Sequence, residues 1–210
     1  MADALPRVAD RAIRTIEELE ALYGEPPVTA TVKVTPAITP HYRTLIEASP
    51  FVALATVGPE GLDCSPRGDV GPVVDVLGPR HLALPDRRGN NRIDSLRNIV
   101  RDPRVALMFL IPGSGTVMRV NGRAVVSGEQ ELLARYVRDG KEPRTVILVE
   151  VGEVYFQCAR AVLRSGLWDG GHADVARLPS VGTVVAELAE GFDGARYDAE
   201  WPDRARQSLW

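Results

Sequence analysis

FVALATVGPEGLDCSPRGD, residues 51–69, is the stretch on which the fold turns. Residues 51–57 are a short apolar run, 58–61 (Gly-Pro-Glu-Gly) read as a turn, and 62–68 form a second short segment. Short segments separated by Gly and Pro are the pattern of antiparallel strands. The same texture extends outward. Residues 73–77 (VVDVL) and 81–86 (HLALPD) flank a Gly-Pro turn, and 105–111 (VALMFLI) suit a buried strand. Two longer β-rich runs follow at 116–127 and 145–157, the first able to bend at Asn121-Gly122 and the second to bulge at Gly152. Six or seven strands thus fall within residues 51–157 with few helices among them. A doubly wound sheet needs a helix after nearly every strand, so a closed or partly closed antiparallel barrel is the better fit.

Helical periodicity sits outside and between these runs. Val8, Ala12, Ile16, Leu19 and Tyr23 predict an amphipathic helix over 8–23, stopped by Gly24 and Pro26-Pro27 and lying on the main body. Thr39 and Pro40 suit the cap and first position of a second helix over 40–48. Ile93, Leu96, Ile99 and Val100 form the apolar face of a third, ended near Pro103. Short helices are expected at 129–137, within 158–171, and at 181–191 with Val181, Val184, Val185 and Leu188 on one face. The organisation is then an N-terminal helical extension (1–39), a barrel (40–170) and a C-terminal helical tail (171–210). The tail, with Trp201 and Trp210, is expected to pack on the barrel or on a dimer partner.

Composition narrows the function. The 210 residues are 45% hydrophobic, enough to bury a core. Twenty-five basic against 28 acidic residues, a net charge of −3, argue against a general nucleic-acid binder. Cys64 and Cys158 are too few and too far apart for a disulfide framework, suggest no zinc site, and read as small buried hydrophobes. His41, His81 and His172 are scattered and receive no role; no metal site is expected. The N-terminus is acidic without an apolar run, and no transmembrane-length segment occurs, so a cytoplasmic protein is expected.

Three stretches carry candidate chemistry. In PDRRGNNRIDSLRNI (85–99), arginines surround a Gly-Asn-Asn turn where a helix begins, with Asn90 or Asn91 as N-cap. Unpaired N–H groups and the helix dipole favour an anion there, and arginine offers a planar fork to phosphate. Cations at that end oppose the dipole, a conflict that a bound phosphate would relieve, although a solvated arginine-rich surface would look the same. In CSPRGD (64–69), Ser65 and Arg67 share one face of a strand and can meet a ring edge or phosphate, or simply face solvent on an edge. In RSGLWD (164–169), Trp168 can stack on a flat ring or cap the barrel. The stretch 85–99 is neither a P-loop nor a dinucleotide fingerprint.

FVALATVGPEGLDCSPRGD, LALPDRRGNNRIDSLRNIVRDPRVALMFLIPG, MRVNGRA and CARAVLRSGLWD together resemble the pyridoxamine 5'-phosphate oxidase-like flavoproteins, in particular the bacterial branch carrying S-P-R-G and G-N-N-R-x-D-S-L-x-N-I. The resemblance covers roughly residues 40–170. It implies a mainly β fold, the antiparallel Greek-key FMN-binding split barrel with peripheral helices, acting as a homodimer with FMN between subunits. By position it assigns Ser65 and Arg67 to the strand lining the flavin, and Asp86, Arg87, Asn91 and Arg92 to the segment meeting its phosphate. Ser165 and Trp168 fall in a C-terminal segment that reaches a flavin, often across the dimer, and Arg119 in a V-R-V-x-G strand. The R-x-V-L-L-K strand and C-terminal basic motif of oxidases that make pyridoxal phosphate are not legible; CSPRGD stands roughly in place of the first. The implied function is an FMN-dependent oxidoreductase of unknown substrate and unnamed catalytic residues. The alternatives are a deazaflavin-dependent reductase, a haem-handling split barrel, or a flavin-binding dimer without turnover.

Overall fold

The structure, a computed structural model, describes residues 12–170 and 175–210. The described residues separate into two compact units, one ending at residue 34 and the other starting at residue 35. In the first, α1 (Ile16–Tyr23) is capped by the Thr15 hydroxyl, which accepts from the Glu18 N–H, and a short α2 (Val28–Thr31) follows. Val8, at the start of the expected helix, lies outside the described residues. No α1 residue is buried, and Leu22 and Tyr23 are largely exposed.

The second unit opens with α3 (Pro40–Glu47), capped by Thr39 as expected. Then come β1 (Phe51–Gly58), β2 (Gly61–Gly68), β3 (Asp75–Gly78), β4 (His81–Pro85), α4 (Asp94–Arg101), β5 (Arg104–Leu110), β6 (Val117–Ser127), α5 (Gln130–Ala134) and β7 (Val146–Gln157). The tail comprises α6 (Arg160–Ser165), α7 (Val181–Leu188) and α8 (Gly194–Gln207), and His172 lies outside the described residues. No described helix is long and apolar enough to cross a membrane.

All seven strands join one antiparallel sheet in the order β2-β1-β5-β6-β7-β4-β3. Its two edges, β2 and β3, are consecutive in sequence, joined by residues 69–74. That link spans at most about 25 Å, so the sheet must curl until its edges approach. Backbone bonds from Asp69 N–H to Pro50 and from Val73 N–H to Ser49 pin the link to the start of β1. The result is a barrel split between β2 and β3, with no ladder across the gap.

Alternation fills the interior. Val52 and Leu54 on β1 stand opposite Phe109 and Leu107 on β5, which in turn oppose Met118 and Val120 on β6. Val120 opposes Val154 on β7, and Leu82 on β4 opposes Val149. The β7 pattern changes parity, with Ile147, Val149 and Val151 inward before Gly152 and Val154 after it. Asn121 pairs with Glu153 and Gly122 with Val151, leaving Gly152 as the extra residue of a bulge. Both positions read from the sequence as bend and bulge therefore belong to one irregularity. A Cβ on Gly122 would lie 2.1 Å from the Glu150 carbonyl oxygen, so the backbones meet there only without a side chain. On the other side of the sheet, α5 places Leu133 over Ala83 and Val146 in a second small cluster.

Cys64 and Cys158 are exposed, contrary to the expectation of burial. Cys64 pairs with Ala55 on the outer side of an edge strand, and Cys158 lies just beyond the end of β7.

Gly122→Ala should destabilise the protein by about 1–3 kcal/mol, the usual cost of forcing an atom into a packed position. Urea unfolding with an unchanged slope would register this as a lower midpoint.

Candidate functional site

The strand β2 carries an unusual inner face. Asp63, Ser65 and Arg67 stand opposite Thr56, Leu54 and Val52, so three polar residues share the side that on β1 is apolar except at Thr56. They can do so because β2 is an edge, and what covers it is polar. From α4 the Ser95 hydroxyl donates to Asp63 Oδ2 at 2.6 Å and lies 3.1 Å from Ser65 Oγ, and Ser65 Oγ itself donates to Asp63 at 3.0 Å. Deeper, Asn98 Nδ2 donates to Thr56 Oγ1 at 3.1 Å. Buried polar groups are tolerable only when paired in this way.

This arrangement corrects the expected face of α4. Ser95, Asn98 and Ile99 are its buried residues, while Val100 is 77% exposed and Ile93 is 43% exposed. The helix start also differs from expectation. Ile93 is the N-cap, without a side-chain cap bond. Asn91 adopts a left-handed φ of 61°, and Asn90 Oδ1 accepts from the Arg92 N–H at 3.0 Å. The turn is held by these asparagines one step before the helix, which moves the cap.

Between β2, the end of β4, residues 87–93 and residues 141–145 lies a groove of about 1370 Å³. Ser65, Arg67, Asp86, Arg87, Asn91 and Arg92 all line it. Six cations and five carboxylates face it, so selectivity depends on which charges are already paired. Arg67 is bonded to Asp86. Arg87 Nε donates to Asp69 Oδ2 at 2.8 Å and its Nη1 to the Tyr136 carbonyl at 2.6 Å, which makes Arg87 largely a structural tie. Arg92 Nε donates to Asp94 at 2.6 Å while remaining 79% exposed. Arg144 reaches the Asn91 amide oxygen at 3.1 Å, and Arg88 has no hydrogen bond or ion pair among the described residues.

Two buried polar atoms have no partner among the described residues, Arg67 Nε and Thr145 Oγ1. Both residues line the groove and both flank Asp86, Arg67 through its ion pair and Thr145 by accepting the Asp86 N–H at 2.9 Å on its carbonyl. A buried polar atom without a partner is costly, so this corner of the groove is where a further polar contact would gain most.

Arg119, Ser165 and Trp168 are not among the groove's lining residues. Arg119 lies over the Tyr155 ring, 5.3 Å from its centroid, on the outer face of β6. The Ser165 hydroxyl donates to the Val162 carbonyl at 3.0 Å, and Trp168 Nε1 to the Ser114 carbonyl at 2.8 Å. The sequence reading missed Asp63, which the alternation 63-65-67 would have revealed, and Ser95 and Asn98, hidden by the search for an apolar face. Thr145 carries no local signal, and Trp210, expected to pack on the barrel or on a dimer partner, lines the groove. No group of three or more metal-binding side chains occurs among the described residues.

Fold and site together define a split-barrel protein with a polar groove at its open seam. Residues 38–158 match the family described as pyridoxamine 5'-phosphate oxidase, and the chain belongs to that family. Among solved structures it is similar to a candidate pyridoxamine 5'-phosphate oxidase from Lactobacillus delbrueckii (26% identity, 58% of this chain and 95% of that one, TM-score 0.47). It is also similar to HupZ from Group A Streptococcus (15%, 58% and 94%, TM-score 0.46) and to General Stress Protein 26 from Bacillus anthracis (15%, 54% and 88%, TM-score 0.42). No curated protein matches the chain.

Beside the groove, Tyr136 donates its hydroxyl to Asp75 at 3.0 Å. Burial, then the Asp75 bond and charge, push its phenol up to about 12 from 10.0. The neutral phenol is thus favoured by folding. Its contribution to stability should be complete below pH 10.0 and be lost as pH rises through about 12. Tyrosinate absorbance should show this late titration, and Tyr136→Phe should remove it.

Proposed function

We propose that the chain is an FMN-dependent oxidoreductase that works as a homodimer. The observation that carries this reading is the pair of unpaired buried atoms, Arg67 Nε and Thr145 Oγ1, beside Asp86 in the groove. Arg67 offers a charged donor and Thr145 a hydroxyl, a donor set suited to phosphate or to a polar ring edge. Exposed Arg88, Arg92 and Arg144 add positive charge along the same wall. The Asp63–Ser65–Ser95 cluster fixes the β2 side of the groove and holds Ser65 in place. When bound, FMN supplies the electron-transfer chemistry; the residues of the chain bind it, orient it and exclude water.

A second subunit is supported by what the groove lacks. Arg119, Ser165 and Trp168 lie apart from it on the same chain, where a two-fold partner can bring them to a neighbour's groove. A row across the outer sheet face, Pro66, Ala53, Met108, Arg119 and Tyr155, offers a surface for that contact, with Met108 42% exposed.

Absorbance and mass of the chromophore that co-purifies test the cofactor directly; a protein that neither retains nor takes up FMN would overturn the reading. Thr145→Val should leave the ligand-free protein as stable as before, because the hydroxyl makes no bond there. It should weaken FMN binding by about 0.5–1.5 kcal/mol in fluorescence titration. Arg67→Ala should cost more, about 1–3 kcal/mol, as a charge-assisted bond is lost. Met108→Glu should shift the protein to monomer in sedimentation and weaken FMN binding with it.

A further inference from the structure

One wall of the groove comes from far along the chain. Leu209 and Trp210, beyond α8, line it together with residues of β2 and the segment after β4. The family match covers residues 38–158 and ends before this segment.

The indole rests on a built platform. Asp69, whose side chain is 5% exposed, receives Arg87 Nε on one carboxylate oxygen at 2.8 Å and Arg138 Nη2 on the other at 3.4 Å. Arg138 Nη2 also donates to the Val70 carbonyl at 3.0 Å. The two guanidinium groups thus present themselves side by side. The Trp210 ring centroid lies 5.6 Å from the Arg87 guanidinium carbon and 5.2 Å from that of Arg138. Lys141 Nζ donates to the Gln207 carbonyl at 3.5 Å and ties down the chain just before it. Lys141 itself is fixed by reciprocal backbone bonds with Arg138, each 2.9 Å.

We propose that residues 207–210 form a strap along the cofactor groove, with Trp210 latched on the Arg87–Asp69–Arg138 platform, and that the strap retains the bound cofactor. Arg87, read from the sequence as a phosphate contact, serves here as half of the latch. Cation–π contacts at a partly exposed site are individually weak, so the latch opens without unfolding the barrel. The strap therefore acts on rates of entry and exit more than on the equilibrium between them. Trp210 is a positioning residue: it bounds the groove and holds the two arginines in place.

The proposal rests on the FMN reading for its ligand, and stopped-flow FMN binding and release separates the two. Trp210→Ala should release FMN at least tenfold faster and also take it up faster, with a smaller change in affinity. Trp210→Phe, which keeps a ring over the arginines, should restore most of the wild-type release rate. An unchanged release rate in Trp210→Ala, or faster uptake alone, would overturn the strap while leaving FMN binding intact. A wild-type protein that binds no FMN would defeat the cofactor reading instead. The latch is then judged without ligand, in a Trp168→Phe/Trp201→Phe background where Trp210 is the sole indole. There Arg138→Ala should raise acrylamide quenching severalfold, and no increase would overturn the latch.

Discussion

Everything in this molecule depends on the seam between β2 and β3. Two sheet edges joined by residues 69–74 are forced near each other, yet they form no ladder. A closed barrel would continue the apolar interior around the ring. Here the inner side of β2 is Asp63, Ser65 and Arg67, which cannot face a dry core without partners. The helix α4 satisfies part of that face with Ser95 and Asn98, and the remainder opens as the groove. The cavity is thus a consequence of placing polar residues on the inner face of an edge strand.

Electrostatics then differentiate the arginines that look equivalent in sequence. Arg87 is consumed by Asp69 and the Tyr136 carbonyl, while Arg88 stays unpaired among the described residues. Arg67 is intermediate, bonded to Asp86 yet keeping an unpaired Nε. The near balance of charge along the groove means that a ligand gains from the few unpaired donors and from water exclusion, rather than from a strong net field.

Much of this was open to reading in the chain. Seven strands, the bend at Asn121-Gly122, the bulge at Gly152 and the Thr39 cap follow from period-two alternation and turn chemistry, which are local. The buried face of α4 was read only in part: Ile99 and Leu96 do pack on the core, but periodicity looks for apolar residues, and this helix also buries Ser95 and Asn98 against polar neighbours. The cap was misplaced because two asparagines compete for the turn, and Asn91 took the left-handed position. The tail helices were legible in outline, but their close crossing was not. Gly182 and Gly194 allow α7 and α8 to cross so closely that a Cβ on either would meet the other's carbonyl oxygen at 2.2–2.4 Å, a long-range fact that neither glycine declares.

The sequence alone determined the antiparallel β architecture, the family resemblance and the cluster of arginines around the Gly-Asn-Asn turn, because alternation, turn residues and motif spacing act over a few residues. Tertiary structure alone decided which arginines are already paired, that Thr145 brings an unpaired hydroxyl beside Asp86, and that Trp210 lies on Arg87 and Arg138. Those facts depend on strands and a tail distant in sequence meeting in space, and charge pairing is fixed only when the distances between groups are.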